Sequence, residues 1–169
     1  MGLPDQALRA AHQAAQHSAE LQHANTTGHV LCHGGGEVAM LLRDVQSVRS
    51  YAAATITLAA EHDMPMWRGY ALVMQGWVAA ETGQLEEGLS LVSQGIDELD
   101  ELGAVFHRTY HLGVLAEIHG RLGNPDAGRR VLERANEEMR RTEVHLFEAS
   151  LRWLEGDLRL VAREPDLEA

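Results

Sequence analysis

Gly83-Gln84-Leu85-Glu86-Glu87-Gly88 returns 40 residues later as Gly123-Asn124-Pro125-Asp126-Ala127-Gly128. A degenerate copy, Arg43-Asp44-Val45-Gln46-Ser47-Val48, stands 40 residues before the first, and Gly2-Leu3-Pro4-Asp5-Gln6-Ala7 opens the chain. Self-similarity at this period is the mark of stacked supersecondary units. Stacked units present extended surfaces, so the repeat points to binding before any site is considered.

Working outward from Gly83, residues 66–82 carry Tyr70, Val73, Met74, Trp77 and Val78 at helical spacing. Gly83 ends that helix, because glycine takes the left-handed position past a helix end at little cost. Residues 85–101 then form a second helix with Leu89, Val92, Ile96 and Leu99 on one stripe. Glu86 and Glu87 occupy its first turn, where the helix dipole favours acids. The next unit follows the same plan. A helix over 106–122 is ended by Gly123, Asn124 is an N-cap, Pro125 takes the first helical position, and 126–141 form the second helix. A last helix spans 146–161. Backwards from Gly83, Asp44 caps a helix over 44–62, its partner covers 25–42, and 4–23 form one more. Gly34-Gly35-Gly36 falls inside 25–42 and costs about 0.8–1 kcal/mol per glycine relative to alanine, so that helix is expected to kink, narrow or break. With A and B denoting the first and second helix of a unit, the order is B, A-B, A-B, A-B, A. The predicted fold is all-α, about seven helices and no strand, with short connections that make neighbours antiparallel.

Taking every fortieth residue at the helix A centre gives Gly36, Gly76, Ala116 and Gly156. Gly88/Gly95 and Gly128/Ala135 are the small pairs of helix B. Glycine is penalised inside helices, so small residues in strict register signal close helix approach. These residues resemble tetratricopeptide repeats, whose small helix A and helix B positions they match. The usual period of that family is about 34 residues, shorter than here, and its late helix A tyrosine is replaced by Ala39, Ala79 and His119. Met64-Pro65-Met66-Trp67-Arg68, Gly76-Trp77-Val78-Ala79-Ala80-Glu81 and the stretch from Glu148-Ala149 through Leu151, Leu154 and Gly156-Asp157-Leu158 resemble the repeat region of large bacterial signalling proteins. In that group the array follows a predicted ATPase module, often with a nucleotide cyclase or winged-helix domain. The resemblance implies a right-handed α-solenoid over 1–163, with a half repeat at 3–24, repeats at 25–64, 65–104 and 105–144, and a final helix at 145–162. Residues 164–169 are expected to be a disordered tail. An array beginning and stopping in mid-repeat would belong to something larger, and its open ends would favour self-association.

The 169 residues suffice for one domain with a real core. There are fourteen arginines and no lysine, so P-loop, Schiff-base and lysine-base chemistries are excluded. A net charge of −11 disfavours nucleic acid and anionic membranes as partners. The cluster of Arg129, Arg130, Arg134, Arg140 and Arg141 is interleaved with Glu133, Glu137, Glu138 and Glu143, the pattern of a solvated helix face. One cysteine, Cys32, permits no intrachain disulfide and fits a reducing, cytoplasmic location. Its apolar helical context makes it a core residue.

Seven of the eight aromatics lie in helix A segments, and only Tyr51 is in a helix B. The resemblance implies that helix A lines a concave groove. Its register places His33, Glu37, Tyr70, Trp77, Glu81, Tyr110, Glu117, Arg121, Trp153 and Asp157 there, an aromatic and charged set suited to recognition. His107/His111 and His29/His33 stand four apart on single helices and could share a metal. There is neither an H-E-x-x-H motif nor a third ligand at evident spacing, so exposed or half-buried polar positions are expected and no metal or cofactor is assigned. Gly34-Gly35-Gly36 lacks the lysine and preceding strand of a phosphate loop. No constellation supports catalysis. The leading expectation is a non-catalytic module that binds a peptide, helix or partner domain. Its alternatives are a small-ligand or metal sensor built on the histidine-rich surface, and a purely architectural or dimerising scaffold.

Overall fold

Asp44 shows how the sequence sets its helix boundaries: its carboxylate accepts from the Ser47 backbone N–H at 3.1 Å and from the Ser47 hydroxyl at 2.6 Å, closing the start of a helix. The computed structural model describes residues 3–161, which contain eight helical rods and no strand. They are α1 (Pro4–Glu20), α2 (24–41), α3 (Val45–Glu61), α4 (Pro65–Glu81), α5 (Leu85–Glu101), α6 (Arg108–Arg121), α7 (Pro125–Thr142) and α8 (Glu148–Val161). The all-α expectation holds. The figure of about seven helices was an undercount, because the order B, A-B, A-B, A-B, A itself contains eight. Pro65 and Pro125 sit at the first turns of α4 and α7, where a missing N–H leaves no bond unmade. Asn124 occupies the N-cap position of α7, but its side chain makes no capping hydrogen bond. Helices α6 and α8 start at Arg108 and Glu148, two residues later than their apolar patterns, because the residues before them are turned out of the helix. The tail over 164–169 and the opening Gly2 lie outside the described residues. Among the described residues no helix is long and apolar enough to cross a membrane.

The 40-residue repeat is also written in the backbone. Gly83 and Gly123 have φ of +89° and +74°, and Arg43, in the same register, has φ +57°. The second turn repeats likewise at Asp63, Gly103 and Glu143, with φ of +50°, +67° and +56°. Glycine accepts this conformation freely, whereas an L residue is disfavoured by roughly 1–2 kcal/mol. Arg43 therefore occupies a position where both of its counterparts are glycine.

The small residues act as contact points. A Cβ on Gly76 would stand 2.7 Å from the Gly88 carbonyl oxygen, and one on Gly95 2.7 Å from that of Gly69. Contacts 69 to 95 and 76 to 88 run in opposite senses, so α4 and α5 lie backbone to backbone in opposite directions. Gly128 meets the Ala116 carbonyl in the same way between α6 and α7. Val48, Val92, Leu112, Ala116 and Ala135 are fully enclosed within one continuous apolar cluster. Gly156, the fourth residue of the register, faces open space.

Helix α2 departs from the expected kink or break. It runs as α-helix over Ala24–His29, widens into a π-helix over Val30–Gly36, and returns to α-helix over Glu37–Leu41. The Glu37 N–H reaches back to the Cys32 carbonyl, the five-residue step of a π turn. Instead of narrowing, the helix bulges and so keeps its hydrogen bonds. The offset turns Gly35 toward α3, where a Cβ would stand 2.5 Å from the Tyr51 ring, and turns Gly36 toward Met74. Three glycines are tolerated because bulky side chains from α3 and α4 press on two of them.

Candidate functional site

Trp153 is the most exposed tryptophan position of the fold, at 63% accessibility on α8, and it stands at the edge of a groove of about 450 Å³. The C-terminal end of α2 and its turn contribute Met40, Leu41 and Arg43. Trp77 comes from α4, and Tyr110, Gly113, Val114 and Glu117 come from α6. Phe147 and the first half of α8, from Ala149 to Leu154, close the far side. Every lining residue belongs to a helix A or to the turn beside one. This size falls within the range of ligand clefts.

Arg43 organises the polar rim. It bonds Glu117 at 2.5 Å and Glu81 at 3.3 Å, and its guanidinium lies 6.0 Å from the centre of the Trp77 ring. Arg121 joins the same network, donating to Glu81 at 2.5 Å and to the Ala80 carbonyl at 2.7 Å. Four of the ten expected groove residues, Trp77, Tyr110, Glu117 and Trp153, line the cavity. Glu81 and Arg121 sit in its charged rim, and Asp157 is exposed on α8. Trp77 is buried to 3% accessibility, so it forms the groove floor instead of a free anchor. Tyr110 is half-buried, stacked on Phe147 at 4.8 Å. Burial first, and then the neighbouring Glu37 and Glu117 carboxylates, push its phenol pKa upward, so it stays a neutral donor.

Tyr70, His33 and Glu37 are not groove residues. Tyr70 is buried and donates to the Phe106 carbonyl at 3.2 Å. His33 and Glu37 lie side by side below the groove, with the His33 Nδ1 bonded to Glu37 Oε1 at 3.1 Å. Helix α6 completes this cluster: the His107 Nδ1 bonds the other carboxylate oxygen, and the His111 Nε2 stands 3.7 Å from Oε1. Ligating atoms of His33, Glu37 and His107 all fall within 4.8 Å of one another. His111 is buried, contrary to the expectation of exposed or half-buried histidines, because α6 packs it against Tyr70 and Tyr110. His29 does remain exposed.

Burial by itself would raise the Glu37 pKa. The imidazoles of His107, His111 and His33 outweigh it and hold the carboxyl well below its usual range. Burial lowers the His111 pKa, which keeps that ring neutral. Cys32 is a core residue, as expected: burial pushes its thiol up to about 12 despite a contact to the Thr55 hydroxyl at 3.8 Å.

Two features escaped the sequence. Arg43 was legible in principle, since it breaks the glycine register at Gly83 and Gly123. The meeting of Glu37 with His107 was not, because no spacing rule links residues 70 apart. Compared with known proteins, the chain matches no protein-family model, no curated protein and no solved structure.

Proposed function

We propose that the chain is a non-catalytic protein-interaction module, a right-handed solenoid of antiparallel helix pairs of the tetratricopeptide type. Its role would be to hold a peptide or helical segment within a larger bacterial signalling protein or on a partner of one. The observation that carries this reading is the groove itself, lined by the A helices and the turns beside them and bearing the exposed Trp153 beside Tyr110 and Phe147. Aromatic side chains in a concave surface ringed by polar groups are the composition of interaction hot spots. The occupant is a segment with one large apolar anchor and basic flanks. Its anchor fits a cavity of about 450 Å³, and its charge complements a chain of net charge −11. Arg43, Glu81, Glu117 and Arg121 would set its orientation.

A displayed library of random peptides, selected on the full chain, tests this. Recovered peptides should carry an aromatic or large aliphatic residue near arginine or lysine, and should lose binding to Trp153→Ala and to Glu117→Gln. Peptides that bind Trp153→Ala as well as the parent chain would count against the groove.

A further inference from the structure

We propose that His33, Glu37 and His107, with His111 as a fourth donor, form a binding site for one divalent transition-metal ion of the imidazole-preferring class, of which zinc is representative. This site lies outside the groove and does not depend on what fills it.

The donor set comes first. Two imidazole Nδ1 atoms converge on the two oxygens of a single carboxylate, and a third imidazole stands within 3.7 Å. Nitrogen and oxygen donors in this ratio suit zinc and its neighbours. Four ligands at about 2.0–2.1 Å around a tetrahedral ion stand about 3.4 Å apart. The three principal donors already lie within 4.8 Å of one another, close to that spacing. A metal would replace the hydrogen-bonding protons between the rings and the carboxylate.

Two backbone irregularities meet at the same point. His33 lies in the π-helix and Glu37 follows directly on its end, and π-bulges occur frequently at functional sites. His107 has φ +58° at the start of α6. It is the one left-handed non-glycine residue among those described at a helix start, the others following helix ends. Strain of this kind persists where surrounding contacts demand it. The shell is apolar and aromatic: Tyr70 and Phe106 stand 4.7 Å and 4.9 Å from the His33 ring, and Phe147 5.3 Å from that of His107. Phe106 stacks on His107 and is itself 54% exposed, so its displacement opens a way in from solvent.

The test uses the full chain stripped of metal and titrated with zinc chloride by calorimetry, and with cobalt(II) by visible absorption. One equivalent should bind, raise the melting temperature and give the intense d–d bands of four-coordinate cobalt. His33→Gln and His107→Gln should each weaken zinc binding by at least about tenfold, while His17→Gln and His62→Gln, at exposed positions, should not. The absence of heat and thermal shift with zinc, or weak six-coordinate cobalt bands, overturns the site. Binding that both inner variants leave unchanged overturns it too, by assigning the ion to surface histidines. The cobalt spectrum of the unsubstituted chain decides the question even if an inner variant fails to fold.

Discussion

His107 and Glu37 are hydrogen-bonded across 70 residues of sequence, tying the start of α6 to the middle of α2. That bond joins two A helices belonging to different repeats, and it lies under Phe147, which also lines the groove. The buried cluster and the groove thus share a wall.

Replacing Glu37 by glutamine keeps its shape and removes its charge. The rings of His33 and His107 then lose an ionised acceptor, and a hydrogen bond to a charged group is worth about 1.5–3 kcal/mol. Urea unfolding of Glu37→Gln should show a loss of about that size at neutral pH. A change below about 0.5 kcal/mol would mean that the cluster does not hold α2 and α6 together.

Glycines at two helical positions, one in the repeat register and one outside it, lead to opposite predictions. At Gly76 a methyl group would meet the Gly88 carbonyl at 2.7 Å and the Val92 backbone N–H at 2.8 Å. Backbone cannot step aside, so Gly76→Ala should destabilise despite alanine's better helix propensity. At Gly34 the nearest atom is a Val30 methyl at 3.7 Å, an ordinary contact. Gly34→Ala should therefore be neutral or stabilising by up to about 1 kcal/mol. Thermal melts of the two variants check the signs.

Arg43→Gly separates fold from function. Glycine relieves the left-handed backbone, a gain of roughly 1 kcal/mol. The lost ion pairs subtract little, because the Arg43 side chain is about half exposed and solvent screens its bonds to Glu81 and Glu117. The melting temperature should hold or rise while capture of selected peptides weakens. A lower melting temperature with unchanged capture would place Arg43 in the scaffold alone.

The pH dependence of the α3 cap has a definite sign. The Ser47 hydroxyl, and after it the Ser47 backbone N–H, hold the Asp44 carboxyl below its ordinary range. Its folded pKa lies below the unfolded one, so its contribution is complete above the ordinary aspartate value near ~4 and is lost as pH falls through the folded value. Asp44→Ala should cost about 0.5–2 kcal/mol at neutral pH. That gap, followed by thermal melts, should stay flat down to about pH 5 and narrow below pH ~4.

Local chemistry made the helices legible. Gly83, Gly123, Pro65 and Pro125 announce helix ends and starts through their own backbone preferences, and the small residues announce helix crossings. The register also singled out the groove residues Trp77, Tyr110, Glu117 and Trp153. It misplaced His33 and Glu37 because a π turn shifts the face of α2, and no sequence rule marks a helix that bulges under pressure from Tyr51 and Met74. Tyr70, on the regular helix α4, is instead covered by His33 and by the segment at Phe106. Arg43 breaks the glycine register, but its partners Glu81 and Glu117 come from two later helices. Glu37 and His107 meet only once α2, α4 and α6 have packed.

Titration calorimetry of a selected peptide against the unsubstituted chain and Trp153→Ala bears most directly on the groove. Trp153 is exposed, so its loss should leave stability within about 0.5 kcal/mol, unlike that of Trp77, whose burial makes Trp77→Ala a variant costing about 3–5 kcal/mol. The groove assignment predicts that Trp153→Ala weakens the peptide by at least about tenfold, or 1.4 kcal/mol, with the melting temperature preserved. An equal dissociation constant for the two proteins would contradict it.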